Sequence, residues 1–193
     1  MRTALAPKST RIIVTRYGGP EALQVIQEER PEPKPHEVRV KVLAAGVSMP
    51  DIMAREGIHP ETPKVPYTPG WDLVGEVDRL GNGVSGIESS QIVAAMPIHG
   101  AYSEFVCLPQ RELVPVPSGL DAAEVVSLIL NYVTAYQMLH RSAKVRPTCF
   151  VSRCLGRRWY GTPATGAPGR TADVWHVFIA WGPGRFRSRG HLN

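Results

Sequence analysis

The sequence predicts a mainly β chain with flanking helices, folded as a compact, partly open β-barrel and followed by a disordered tail. Three observations carry this. Short stretches that alternate apolar and polar residues recur between Gly and Pro corners. Helix signals come only after those strands are under way, at Ser48 and again at Asp121. From Thr148 onward the composition changes, with seven Arg, no Lys and one acid, Asp173. The expected organisation is a lead-in over 1–10, one domain with the start of a linker helix over 11–147, and a separate tail over 148–193.

The totals permit a sizeable core, since 43% of the 193 residues are hydrophobic. The net charge of +5 is unevenly placed. Outside the tail, fifteen Lys and Arg face sixteen Asp and Glu. Cys107, Cys149 and Cys154 form no paired framework. With no leader-like apolar segment and no run near the ~18 residues that span a bilayer, the expectation is a cytoplasmic protein with no membrane association.

Taken in order, Arg11 to Thr15 reads as a strand, Tyr17-Gly18-Gly19-Pro20 as a turn, and Leu23 to Glu29 as a second strand. Pro31, Pro33 and Pro35 enforce an extended connector. Val38 to Ala45 alternates apolar and basic residues, the period of a half-buried strand. Ser48 is an N-cap, with Pro50 in the first turn, Asp51 beside it and Gly57 as the stop. Residues 58–69 form a Pro-rich loop.

The chain is organised around Pro69-Gly70-Trp71-Asp72-Leu73-Val74-Gly75-Glu76-Val77, a tight corner feeding an apolar strand. Gly70 supplies the positive φ of the turn. Gly75 within a strand marks a bulge or the close approach of another backbone. After the Gly81-Asn82-Gly83 corner, Gln91 to Met96 is a strand, and Gly100 to Val106 is expected to pair with it. Asp121 caps a helix through Leu128, and Asn131 to Ala143 forms another with Tyr132, Ala135, Tyr136 and Leu139 on its apolar face.

The Pro69 stretch resembles the PG(x)(D/E)xxGxV signature of the medium-chain dehydrogenase/reductases. Ala45 to Asp51, Gly100 to Val106 and Leu130 to Tyr136 resemble further motifs of its zinc-independent quinone-oxidoreductase branch, in the right order over about 11–147. The resemblance implies a GroES-like barrel and reduction of quinones or enones by NADPH, with the nicotinamide giving the hydride. It also implies Ser48 and Asp51 at the substrate cleft and Asn131 and Thr134 near the nicotinamide. Each has a structural reading too. Ser48 serves equally as an N-cap, Asp51 as a first-turn acid, and Thr134 as a helix hydroxyl bonded to its own backbone.

Zinc-dependent members of the superfamily hold their metal on Cys and His. Here Ser48, Trp71 and Leu130 or Asn131 stand at those positions, so no metal is expected. His59, His99 and His140 read as separate surface histidines.

The family's dinucleotide-binding half opens on a strand and a glycine-rich turn. Thr148 to Gly161 spells neither. Read one nucleotide later, permitted codons give a stretch resembling the missing turn, and Trp159-Tyr160 and Trp175-His176 each force a Gly where the family has one. The tail is therefore read as a change of reading frame, with an evolved segment as the alternative. Its Arg and Trp excess mimics a nucleic-acid-binding segment, but an out-of-frame GC-rich gene yields the same excess.

Two functions of different kind follow. One is the catalytic half of an NADPH-dependent quinone or enone reductase, a possible homo-oligomer, binding no cofactor and inactive without its partner half. The other is a non-catalytic module that binds a partner or a full-length homologue.

Overall fold

The computed structural model describes residues 7–142, 151–155, 158–162 and 177–180, with side chains over 7–142. The chain divides into two compact units, 1–131 with 176–193, and 132–175.

In the first unit, β1 (Lys8–Val14) and β2 (Leu23–Glu29) form an antiparallel pair. The strand thus starts three residues before the expected Arg11. Ser9 and Thr10 already have ladder partners in Glu28 and Gln27, which draws part of the expected lead-in into the sheet. The central strand is β3 (Glu37–Val47), followed by α1 (Met49–Glu56), β4 (Leu73–Leu80), β5 (Ile92–Ala95), β6 (Phe105–Pro109) and the short β7 (Val114–Pro115). β3 pairs antiparallel with β4 and with β6, β4 with β5, and β5 with β7.

β4 and β5 are the hairpin arm expected after the Pro-Gly corner. Gly75 marks a close approach, and the bulge lies opposite it on β3, at Leu43. A Cβ there would fall on Val40 and 2.5 Å from the carbonyl oxygen of Lys41, and the β3–β4 register shifts between Val42 and Ala44.

The expected pairing of Gly100 to Val106 with Gln91 to Met96 is corrected. That stretch bridges β1 and β3 instead: Ile12 N–H donates to Tyr102 O, Glu104 N–H to Thr10 O, and Val42 N–H to Glu104 O. Alternation identifies a strand but not its neighbour, because sheet partners are chosen by non-local packing.

Val38, Val40, Val42, Leu73, Val77 and Val93 fill the core, together with Ala101, Tyr102, Leu108 and Leu113. A second cluster packs Val125 and Val126 of α2 (Ala122–Ser127) against Ala44, Val74 and Ala94. Asp121 caps α2 as expected, accepting from the N–H groups of Ala123 and Glu124. The separate second helix is corrected to a continuation, a π turn over Leu128–Tyr132, α3 (Val133–Tyr136) and a π turn over Gln137–Ser142. Within the described residues its expected apolar face stays open, with Tyr136 61% exposed.

Three short strands fall in the tail, where the sequence shows no strand period. β8 (Val151–Leu155) pairs with β9 (Arg158–Thr162), and β10 (Val177–Ala180) pairs with β3 at Ala44 to Val47. A wholly apolar run of four such as Val177 to Ala180 carries no alternation to read. The rest of 148–193 lies outside the described residues.

Candidate functional site

α1 begins as its sequence dictates. Ser48 is extended, at φ −127° and ψ 167°, so its N–H stays outside the helix ladder. Asp51, three residues on, reaches back to it. One oxygen, Oδ2, accepts from Ser48 N–H at 2.9 Å and from Ser48 Oγ at 2.7 Å. The other, Oδ1, accepts from Gly70 N–H at 3.0 Å. A single buried carboxylate therefore ties the start of α1 to the Pro-Gly corner. Gly57 ends the helix in the left-handed region at φ +79°.

The corner needs its glycine. Gly70 has φ +105°, and a Cβ would sit 2.7 Å from that of Ala101 and 2.8 Å from the backbone nitrogen of Tyr102. Tyr102 in turn is buried, and its hydroxyl donates to Gly46 O at 3.2 Å.

A second acid lies beside the first. Asp72 is fully buried, and its Oδ1 accepts from Gly46 N–H at 3.2 Å. Burial above all, then the nearby charge of Asp51, pushes its carboxyl up to about 6, while hydrogen bonds from the Gly46 and Leu130 backbone pull the other way. Asp51 is also held above the usual carboxylate range by burial, against its bonds with Ser48, Gly70 and Tyr102. Burial and these two acids raise the Tyr102 phenol well above its ordinary value.

Next to the corner stands an aromatic group. The Trp71 ring meets His59 edge-on at 5.3 Å and His99 at 6.2 Å, and His99 meets Tyr67 at 5.8 Å. Burial holds the His99 imidazole below its ordinary value, favouring the neutral ring. Tyr67 is pushed up to about 12, first by burial and then by Asp51. Tyr67 Oη and Trp71 Nε1 are buried, and neither has a hydrogen-bond partner among the described residues.

Ser48 and Asp51 are thus brought into direct contact, and both also fill the structural roles the sequence allowed them. Asn131 is half-buried at the end of the first unit, next to Leu130, whose backbone bonds Asp72, and Thr134 is exposed in the second unit. Of the three histidines read as separate, His59 and His99 flank Trp71, and the His140 ring lies tilted against Tyr136 at 4.5 Å. Sequence reasoning missed Asp72, Tyr102 and Tyr67. Asp72 occupies the acidic position of the Pro-Gly signature and was the most legible of them.

Among the described residues no three His, Cys, Asp or Glu are grouped to hold a metal ion. Nor do the described helix starts suit a dinucleotide's phosphates. Asp51 fills the N-terminus of α1 and Asp121 that of α2, so an anion would meet a carboxylate there. No helix among the described residues is long and apolar enough to cross a membrane.

A barrel of this topology, with its acid-tied helix and Pro-Gly corner, defines an alcohol dehydrogenase GroES-like domain, and residues 34–118 match the model of that domain. The relatives of this chain are members of the medium-chain dehydrogenase/reductase superfamily. It is 32% identical over 141 residues to the human synaptic vesicle membrane protein VAT-1 homolog-like, covering 73% of this chain and 34% of that protein. It is 31% identical over 169 residues to rat quinone oxidoreductase, covering 78% and 51%. The solved structure of Escherichia coli quinone oxidoreductase complexed with NADPH superposes with a TM-score of 0.67 at 27% identity, over 72% of this chain and 43% of that one. The chain therefore spans between about a third and a half of the curated relatives it matches.

Proposed function

We propose that this chain is the substrate-side half of a zinc-independent, NADPH-dependent reductase of quinones or enones. The observation that carries this reading is the buried constellation of Ser48, Asp51, Gly70 and Asp72 beside the open donors of Tyr67 and Trp71. It lies in the domain shared with proteins described as quinone oxidoreductases, one of them in complex with NADPH. When bound, the nucleotide supplies the hydride. This chain's own residues shape the cleft: Asp51 fixes the corner that carries Trp71, and His59 packs edge-on against the Trp71 ring. Asn131 and Thr134 contribute on the nicotinamide side, as the resemblance implies.

On this reading the chain alone does not turn over. Purified protein is incubated with NADPH and a quinone while NADPH absorbance is followed, and the expected result is no enzyme-dependent loss. A variant gene that restores the shifted frame after Pro147 is expected to yield an active protein. Turnover by the chain as written would overturn the proposed division of labour.

A second reading, a module that docks onto a partner or a full-length homologue, draws on the exposed Val133, Tyr136 and Met138 of the last described helical stretch. Sedimentation with and without a full-length homologue separates the two. Stable hetero-assembly without nucleotide binding favours the module.

A further inference from the structure

We infer that the edge of β3 from Ala44 to Val47 is a strand-addition site, covered in this chain by its own β10 and open to an extended, uncharged apolar segment of another polypeptide.

One edge of β3 runs along β4, and two strands share the other. β6 covers it from Glu37 to Lys41, and Val42 N–H still reaches Glu104 O at 2.9 Å. Past that point β10 takes over, with Val177 opposite Val47, Phe178 opposite Gly46, Ile179 opposite Ala45 and Ala180 opposite Ala44. Backbone groups alternate between the two edges of a strand. Gly46 turns to the β4 side, where its N–H meets Asp72 O at 3.4 Å. Ala45 and Val47 therefore present their N–H and C=O groups to β10.

The acceptor is held in shape without β10. Gly46 N–H also donates to Asp72 Oδ1 at 3.2 Å, and Gly46 O accepts from the Tyr102 hydroxyl at 3.2 Å. Asp51 holds Ser48 N–H at 2.9 Å. An edge fixed in this way is pre-organised to take an added strand through its main chain. The cover is replaceable. β10 is four residues long and stands 34 residues after Ser142, and a short edge pairing of this kind opens locally.

The acceptor row selects its partner. Ala44 and Ala45 are buried, Gly46 and Val47 are half-buried, and none is charged. A charged residue laid beside them would lose water without gaining a counter-charge, and a proline would lack the donor that the ladder needs. The segment seated there, Val177-Phe178-Ile179-Ala180, contains neither.

Amide hydrogen exchange of the full chain, read by NMR at Ala45 and Val47, tests the site. Ile179→Pro removes the donor opposite Ala45, and thermal melting with the amides of Val40 and Val93 as references checks that the barrel stays folded. The probe is a synthetic peptide of residues 175–182, and the same peptide carrying Ile179→Pro is the control. The expected result is that both amides exchange at least about tenfold faster in the variant than in wild type, because the edge has lost its cover. The probe peptide is expected to slow them again in the variant, and the control peptide to leave them fast. Equal exchange in wild type and variant would overturn the cover by β10. Fast exchange in the variant that the probe does not slow, or that the control slows equally, would overturn the strand-addition site. Wild-type protection that rises with protein concentration, together with a dimer in sedimentation, would show β10 exchanged between two copies and overturn its cover within one chain.

Discussion

Asp51 takes two hydrogen bonds from Ser48 on a single oxygen, from the backbone N–H at 2.9 Å and from the hydroxyl at 2.7 Å. Its other oxygen holds Gly70. This asymmetry predicts unequal costs. Ser48→Ala removes one bond and is expected to cost about 1 kcal/mol. Asp51→Ala strands two buried N–H groups as well, and about 3 kcal/mol is expected. Urea unfolding of the two variants measures the difference. Equal losses would show that Asp51 does not act as the tie between helix and corner.

Asp72 makes stability depend on pH. Its folded carboxyl titrates at about 6 against 3.8 for the free group, so the native state binds more protons between those values. Stability from this group is therefore full below about pH 4 and is lost as pH rises through about 6, by at most about 3 kcal/mol. Asp51 shifts in the same direction. Asp72→Asn, which keeps an acceptor for Gly46, is expected to flatten the curve of stability against pH over that window. Urea midpoints measured from pH 4 to 7 would refute this if the variant and wild type fell in parallel.

Gly70→Ala combines a forbidden backbone with a collision. At φ +105° an alanine is strained, and its Cβ meets Ala101 and the Tyr102 backbone inside 3 Å. A loss of about 3 kcal/mol or more is expected. A thermal melt within a degree or two of wild type would mean that the corner relaxes freely and does not depend on its glycine.

Much of this site was legible because its signals are local. Ser48, Pro50, Asp51 and Gly57 give a complete helix from cap to stop, and that helix forms as read. Gly70 and Gly75 announce a turn and a close approach, and both are present. What could not be read depends on residues far apart in sequence. The Gly100 to Val106 stretch alternates correctly but lies against β1 and β3, because the partner of a strand is set by packing rather than pattern. Asp72 and Tyr102 meet across Gly46, a contact between segments with nothing in either to signal the other. Tyr67 carries no signal in the sequence, and Trp71 is read there only as the residue standing where a metal ligand would be. Only the missing partners of their polar atoms set them apart.

Metal content follows from the residues at the ligand positions. With Ser48, Trp71 and Leu130 or Asn131 there, elemental analysis of the purified chain is expected to find no stoichiometric zinc. Zinc retained at one equivalent, and lost in Ser48→Ala or Asp51→Ala, would overturn the zinc-independent assignment.

The central claim is that this chain carries the substrate side of the cleft and not the dinucleotide side. Most of a dinucleotide's affinity comes from a glycine-rich turn and a free helix N-terminus at the pyrophosphate. In the described residues, Asp51 and Asp121 occupy the N-termini of α1 and α2. Calorimetric titration of the same preparation with NADPH and with naphthoquinone tests this most directly. The expected result is measurable heat of binding for naphthoquinone and none for NADPH. Tight NADPH binding by the chain as written, with no response to naphthoquinone, would contradict the claim.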